Sequence, residues 1–324
     1  MSPRHWLLLL ALSLIWGATF PIAKYSVGTI PPLVLTFFRV LLAALTLHMV
    51  LRLRGIAFPL ERRLFGAFLL MGLLNNAIPF SLIFWGQTVL PASLASILNA
   101  TTPIFTVLVA SLVFGQERLA AHRVAGILIG FMGVAILLAA GLDVGILQGV
   151  AGAPPWAQLL CLGGALSYAF AASFAKRFRG MPVLVSAAGQ LTGSSIIMAP
   201  LAFAQAFGLI GGGSFRFEVA GPGVWMAVVA LGVVCTALAY LIYFRLLVEA
   251  GATNASLVTL LVPVSACLIG AVALGETLGL PQLIGMGLLL LGLVVLDGRV
   301  LRRARAGQAG VSAGSTETRS AKRS

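Results

Sequence analysis

The chain has 324 residues, of which 60% are hydrophobic and 9% charged, with a mean hydropathy of +1.07 and a net charge of +13. Soluble domains carry about 45–50% apolar and about 25% charged residues, so charges this sparse cannot screen this much apolar surface from water. Disulfide scaffolds, disordered regulators and ordinary soluble enzymes are set aside, and an all-α integral membrane protein of several helices remains.

A bilayer-crossing helix needs about 20 mostly apolar residues. The first such stretch runs from Trp6 to Val27 behind Arg4 and His5. It reads as an uncleaved helix and not a leader, because the apolar run continues through Phe20 with no small-x-small site after it. Further spans follow at Pro32 to Leu51, Leu64 to Leu90, Ser93 to Phe114 and Arg123 to Ala140. A second set runs at Trp156 to Phe178, Pro182 to Leu209, Gly223 to Val248, Ala252 to Leu274 and Leu280 to Leu296. The longest connection, Gly208 to Pro222, is Gly-rich, and residues 301–324 form a basic tail rich in Ser, Ala and Gly, the composition of a disordered cytosolic extension. Cys161, Cys235 and Cys267 fall in separate apolar runs without CxxC spacing, so they read as packing residues and neither a disulfide framework nor a metal site is expected.

Lys and Arg collect in cytoplasmic loops of membrane proteins. With the N-terminus inside, the cytoplasmic side holds Arg4; the cluster from Arg52 to Arg63; Arg118 and Arg123; Lys176, Arg177 and Arg179; Arg245; and the tail. That is 18 of the 21 basic residues, against Arg216 alone on the opposite side. The excess positive charge therefore reads as a topological label, not as a nucleic-acid footprint, and both termini are expected in the cytoplasm.

The chain also repeats itself. Trp16 and Lys24 match Tyr168 and Lys176 at a shift of 152. Ala95-Ser96, Pro103 and Gly115 match Ala255-Ser256, Pro263 and Gly275 at a shift of 160; past Gln116, the residues Glu117, Gly126 and Gly133 match Glu276, Gly285 and Gly292 at 159. Ten spans thus divide into two five-helix units, expected over residues 1–145 and 146–300. Five is odd, so the second copy enters the membrane from the other side. Inverted repeats are a transporter device, because the halves exchange conformations around one central site.

Trp16-Gly17-Ala18-Thr19-Phe20, Phe38-Arg39, and Pro91-Ala92-Ser93-Leu94-Ala95-Ser96 with Pro103 and then Glu117 form an ordered signature. The second half repeats it as Gly251-Ala252-Thr253-Asn254-Ala255-Ser256 with Pro263 and Gly275-Glu276. This resembles the EamA-type branch of the drug/metabolite transporter superfamily, over about residues 6 to 297. The resemblance implies two inverted five-helix repeats, a cavity lined mainly by helices 1, 3, 4, 6, 8 and 9, and transport of small metabolites, commonly amino acids or drugs, outward. Gln116 separates Gly115 from Glu117 where the second half has Gly275 next to Glu276, a local departure from the pattern.

Polar groups in hydrocarbon are functional candidates by default. Proline removes a helix donor and frees the carbonyl four residues earlier, which assigns open carbonyls to Asn75 (by Pro79), Asn99 (by Pro103) and Thr259 (by Pro263). These three residues, with Asn76, are the expected substrate-binding polar groups; the competing reading is that the helices kink and satisfy themselves. Adjacent Asn75 and Asn76 are expected to point differently, one to a cavity and one to a neighbouring helix. Trp16, Tyr168, Phe80 and Tyr240 are candidate aromatic walls, together with Phe84, Trp85 and Tyr243, against a bland role in packing. Arg39 is expected as a structural pin to backbone carbonyls or Gln190, with substrate binding as the alternative. Lys24 is expected to snorkel outward, with attraction of a substrate carboxylate as its alternative, and Glu117 and Glu276 to act structurally or in gating. The glycines of helices 5 and 10 are expected to pack helices or to make a homodimer contact.

No Asp or Glu falls at mid-depth of a span. That disfavours a proton-driven pump and favours facilitated diffusion or exchange. A membrane enzyme would need clustered His, Asp or Glu, or a nucleophile elbow; neither is present, and a receptor or lipid-handling protein has no need of the inverted repeat. The expectation is a cofactor-free exporter of amino acids or related neutral or zwitterionic compounds, or drugs, in a bacterial cytoplasmic membrane.

Overall fold

The computed structural model describes residues 2–59, 61–116, 119–141, 153–211 and 215–298. Glu117, the 142–152 connection and the tail from 299 onward lie outside the described residues.

Ten helices carry the fold: α1 (Pro3–Val27), α2 (Pro32–Leu53), α3 (Arg62–Gln87), α4 (Ala92–Val113), α5 (Ala121–Gly141), α6 (Pro155–Phe178), α7 (Val183–Ala206), α8 (Pro222–Ala250), α9 (Val258–Leu274) and α10 (Leu280–Asp297). Their starts follow from local chemistry. Pro sits in the first turn of α1, α2, α6, α8 and α10, where its missing N–H would have had no partner. Among the described residues nine helices are long and apolar enough to cross a membrane, and α9, with 17 residues, is the shorter tenth. The expected start of the ninth span at Ala252 is corrected: Ala252–Ala255 is a separate turn, and the helix proper begins at Val258.

The packing has the symmetry of an inverted repeat. α5 lies along α10, and α2 along α7. The pair α1 and α9 is mirrored by α6 and α4, the pair α3 and α7 by α8 and α2, and the pair α3 and α6 by α8 and α1. Each of these pairings is reproduced when every helix is exchanged for its partner five places on. The protein is therefore an all-α membrane protein of two inverted five-helix repeats.

Glycines set the closest crossings. A Cβ at Gly17 would fall 2.2 Å from Ser265 Oγ, where α1 crosses α9, and one at Gly126 would fall 2.6 Å from the carbonyl oxygen of Gly292, where α5 crosses α10. Gly126 and Gly133 of α5 thus face Gly292 and Gly285 of α10 inside one chain.

The helices are irregular where the chain needs unusual direction. α3 contains a wide π-helical turn at Leu73–Ala77 and α8 one at Ala230–Leu238, at positions related by the 160-residue shift. Such turns insert an extra residue and concentrate at functional sites. α4 breaks at Ala100 and Thr101, just ahead of Pro103. Its repeat counterpart Pro263 lies inside an uninterrupted α9.

Candidate functional site

Polar side chains link the π turn of α3 to α8. Asn76 and Phe80 lie one turn apart on α3, and Thr236 and Tyr240, their equivalents at the 160-residue shift, lie one turn apart on α8. Asn75 Nδ2 donates to Gln190 Oε1 of α7 at 2.9 Å and to the Tyr240 hydroxyl at 3.4 Å. The Tyr240 hydroxyl donates in turn to Asn76 Oδ1 at 3.3 Å. Adjacent Asn75 and Asn76 therefore both reach Tyr240, against the expectation that they diverge, because the π turn widens the helix between them. Their exposures still differ: Asn76 is fully buried and Asn75 half-buried.

Arg39 completes this cluster from α2. Its Nε donates to Thr236 Oγ1 at 3.0 Å, and its guanidinium lies over the Phe80 ring at 3.7 Å and near the Phe84 ring at 5.6 Å. The expected pin to backbone carbonyls or Gln190 is corrected; Gln190 holds Asn75 instead. The side chain is buried, and a charge at mid-helix in a membrane protein costs several kcal/mol, about 2.5–3.5 on insertion scales. A desolvated cation–π contact returns about 2 kcal/mol of that.

The rings fall into two chains. Phe84, Phe80 and Tyr168 run in series with centroid separations of 6.4 Å at each step. Trp16 meets Tyr243 at 5.4 Å, which leads through Phe244 to Tyr240. Trp16, Tyr168 and Tyr240 lie mid-helix between helices of opposite repeats and remain only half-buried. Trp85 stands apart, beside Gly211.

The carbonyls expected to be freed by Pro79 and Pro103 have another fate. In α3 the amide of Ile78 reaches back to Leu73 across the π turn, and Pro79 has no N–H for the next carbonyl, that of Leu74; Ser167 Oγ of α6 donates to it at 2.7 Å. The Asn99 carbonyl accepts from Thr102 Oγ1 at 2.7 Å, so Pro103 leaves it satisfied locally. Thr259 donates its hydroxyl to the Ser256 carbonyl, just ahead of its helix, at 2.7 Å. Asn99 Oδ1 and Asn76 Nδ2 are buried without a hydrogen-bond partner among the described residues.

At the face opposite Pro3, Glu276 accepts from the amides of Ala92 at 2.6 Å and Ser93 at 2.9 Å, and so caps α4. A carboxylate on a helix N-terminus pairs with two unfilled donors and with the positive end of the helix dipole. Beside it, Lys24 Nζ donates to the Gln87 carbonyl at 2.8 Å, and Gln87 Nε2 to the Phe20 carbonyl at 3.0 Å. Lys24 is therefore tied to α3 instead of reaching outward. Lys176, the repeat counterpart of Lys24, bonds Gln116 on the other face. Gln87 and Ser167 carry no signal in the sequence: one is a lone amide at a span end, and the other is a serine of a kind common in membrane helices.

Comparison with known proteins agrees with this architecture. Residues 4–139 and 155–296 each match the EamA-like transporter family. The chain is 30% identical over 289 residues to the "Uncharacterized inner membrane transporter YedA" of Escherichia coli K12, covering 89% of each. It is 30% identical over 313 residues to a "Probable amino-acid metabolite efflux pump" of Salmonella typhimurium LT2, covering 94% of this chain and 99% of the other. A crystal structure at 22% identity superposes with a TM-score of 0.63 over 94% of this chain and 99% of the other, which shows a shared fold. Two matched repeats covering most of the chain, and full-length relatives named as transporters, make this protein a multi-pass membrane transporter that belongs to the EamA-like family.

Proposed function

We propose that the protein exports small metabolites, amino acids or related neutral or zwitterionic compounds, across the cytoplasmic membrane by alternating access. Both termini then face the cytoplasm, in keeping with the distribution of basic residues. The observation that carries the reading is the Arg39, Asn75, Asn76, Thr236 and Tyr240 cluster, built from both repeats at mid-helix and flanked by half-buried rings. Such a site sits where inverted repeats meet, which is where alternating access needs it. Among the described residues no carboxylate joins this cluster, which supports exchange or facilitated diffusion over proton coupling. The Glu276 cap and the Lys24–Gln87 bond support a state closed on the side opposite the termini.

The test is export from cells overexpressing the protein, scored by resistance to amino-acid analogues and by efflux of labelled amino acids. Asn75→Ala and Tyr240→Phe each remove two hydrogen bonds of the cluster; a net loss of about 1–1.5 kcal/mol is expected to lower efflux about tenfold. Asn99→Ala and Thr259→Ala, whose hydrogen bonds lie outside the cluster, are expected to lower it less. Unchanged efflux in all four variants, at equal expression, contradicts this location of the site.

A further inference from the structure

Arg39 is 5% exposed and its one hydrogen bond, to Thr236, uses Nε alone. Neither terminal guanidinium nitrogen has a hydrogen-bond partner, and no carboxylate lies within ion-pair distance, among the described residues. In the same cluster, Asn76 Nδ2 is buried with no acceptor among the described residues. The Phe80 ring covers one face of the guanidinium and holds its plane, so the edge carrying the free donors is the part left to bind something else.

The two halves of the molecule make the same crossing with different chemistry. Arg39 reaches from α2 to Thr236 on α8, and Gln190 reaches from α7 to Asn75 on α3. A neutral amide suffices for the second crossing. A helix pin alone therefore does not call for charge, and the first crossing nevertheless carries an uncompensated cation with a planar fork of donors. Such a fork is matched by a carboxylate, which accepts two parallel hydrogen bonds and neutralises the charge.

We propose that Arg39 is the anchor for the carboxylate of the transported molecule, with Asn76 Nδ2 as a neighbouring donor, so that the substrates are carboxylates. This rests on the central-site reading above and narrows its substrate class. A bound carboxylate supplies the anion that the fold itself withholds. A neutral amide or a free amine leaves the charge unmatched.

The experiment uses the purified full-length protein in detergent, with thermal unfolding as the binding readout. The probes are the common amino acids, their amides, their decarboxylated amines and the matching acids that lack the amino group. At least one amino acid or matching acid is expected to stabilise the protein, with its amide and amine at least tenfold weaker. Arg39→Gln is expected to abolish the preference between acid and amide. Arg39→Lys, which keeps the charge without the fork, is expected to retain part of it. The wild-type comparison stands by itself if Arg39→Gln fails to fold. Amides or amines that bind as well as the acids overturn the proposal, as does silence across all carboxylate probes, or a preference that survives in Arg39→Gln. The transporter reading is separately decided by flux in sealed vesicles: amines carried without acid preference remove only the Arg39 assignment, and no flux of any probe removes the export reading.

Discussion

Gly292→Leu is expected to destabilise the protein by about 3 kcal/mol, the upper end of the usual cost of overpacking. A Cβ at Gly292 meets the Gly126 carbonyl oxygen and the Gly130 amide nitrogen, both at 2.7 Å. These obstacles are backbone, so no rotamer change relieves the overlap and α10 must move away from α5. Gly287 is on the same helix, and a Cβ there meets nothing within 4 Å. Gly287→Leu is therefore expected to stay within about 0.5 kcal/mol of the parent. Thermal unfolding and gel filtration of the two variants, purified side by side, measure the difference. Equal melting temperatures for the two would show that the α5–α10 crossing is looser than described.

Glu276→Gln is expected to loosen the closed face opposite the termini. The carboxylate accepts from two α4 amides. An amide in its place offers one acceptor and turns an N–H toward a backbone N–H. Charge-assisted hydrogen bonds are worth about 1.5–3 kcal/mol each, so loss of one shifts the closed-to-open balance by on the order of tenfold to a hundredfold. Ser96, 1% exposed and one turn below the cap, reports on this. The natural cysteines are all buried and free, which keeps the background low. A Ser96→Cys reporter is expected to resist a polar thiol reagent in the parent protein and to react at least tenfold faster with Glu276→Gln. Identical rates in the two backgrounds would remove the cap from the gating account.

The helices and their pairing were legible because hydropathy and internal repetition are properties of the linear chain. Nine of the ten spans begin and end within a few residues of the run of apolar residues, and the repeat shift that matches Phe80 to Tyr240 also matches the π turns of α3 and α8. The details of the site were less legible because they depend on backbone register. A π turn is invisible in a sequence, yet it decides that Asn75 and Asn76 share Tyr240 and that Leu74, not Asn75, needs the Ser167 hydroxyl. Identical prolines also acted differently: Pro103 follows a break, and Pro263 is absorbed within a helix. Arg39 shows the same limit. Its depth marked it as important, but its partners depended on which helices the fold brought to it.

Alternating access as proposed exposes one site between the repeats to each side in turn. Solute counterflow with the purified protein in sealed liposomes tests it most directly. The vesicles are loaded with an unlabelled amino acid that stabilises the protein, and uptake of the labelled form is followed with and without an imposed pH gradient. Saturable uptake is expected, several-fold faster with internal substrate than without it, unchanged by the gradient and about tenfold slower in Tyr240→Phe. Uptake that rises linearly with concentration, ignores internal substrate or stops without a pH gradient would contradict it.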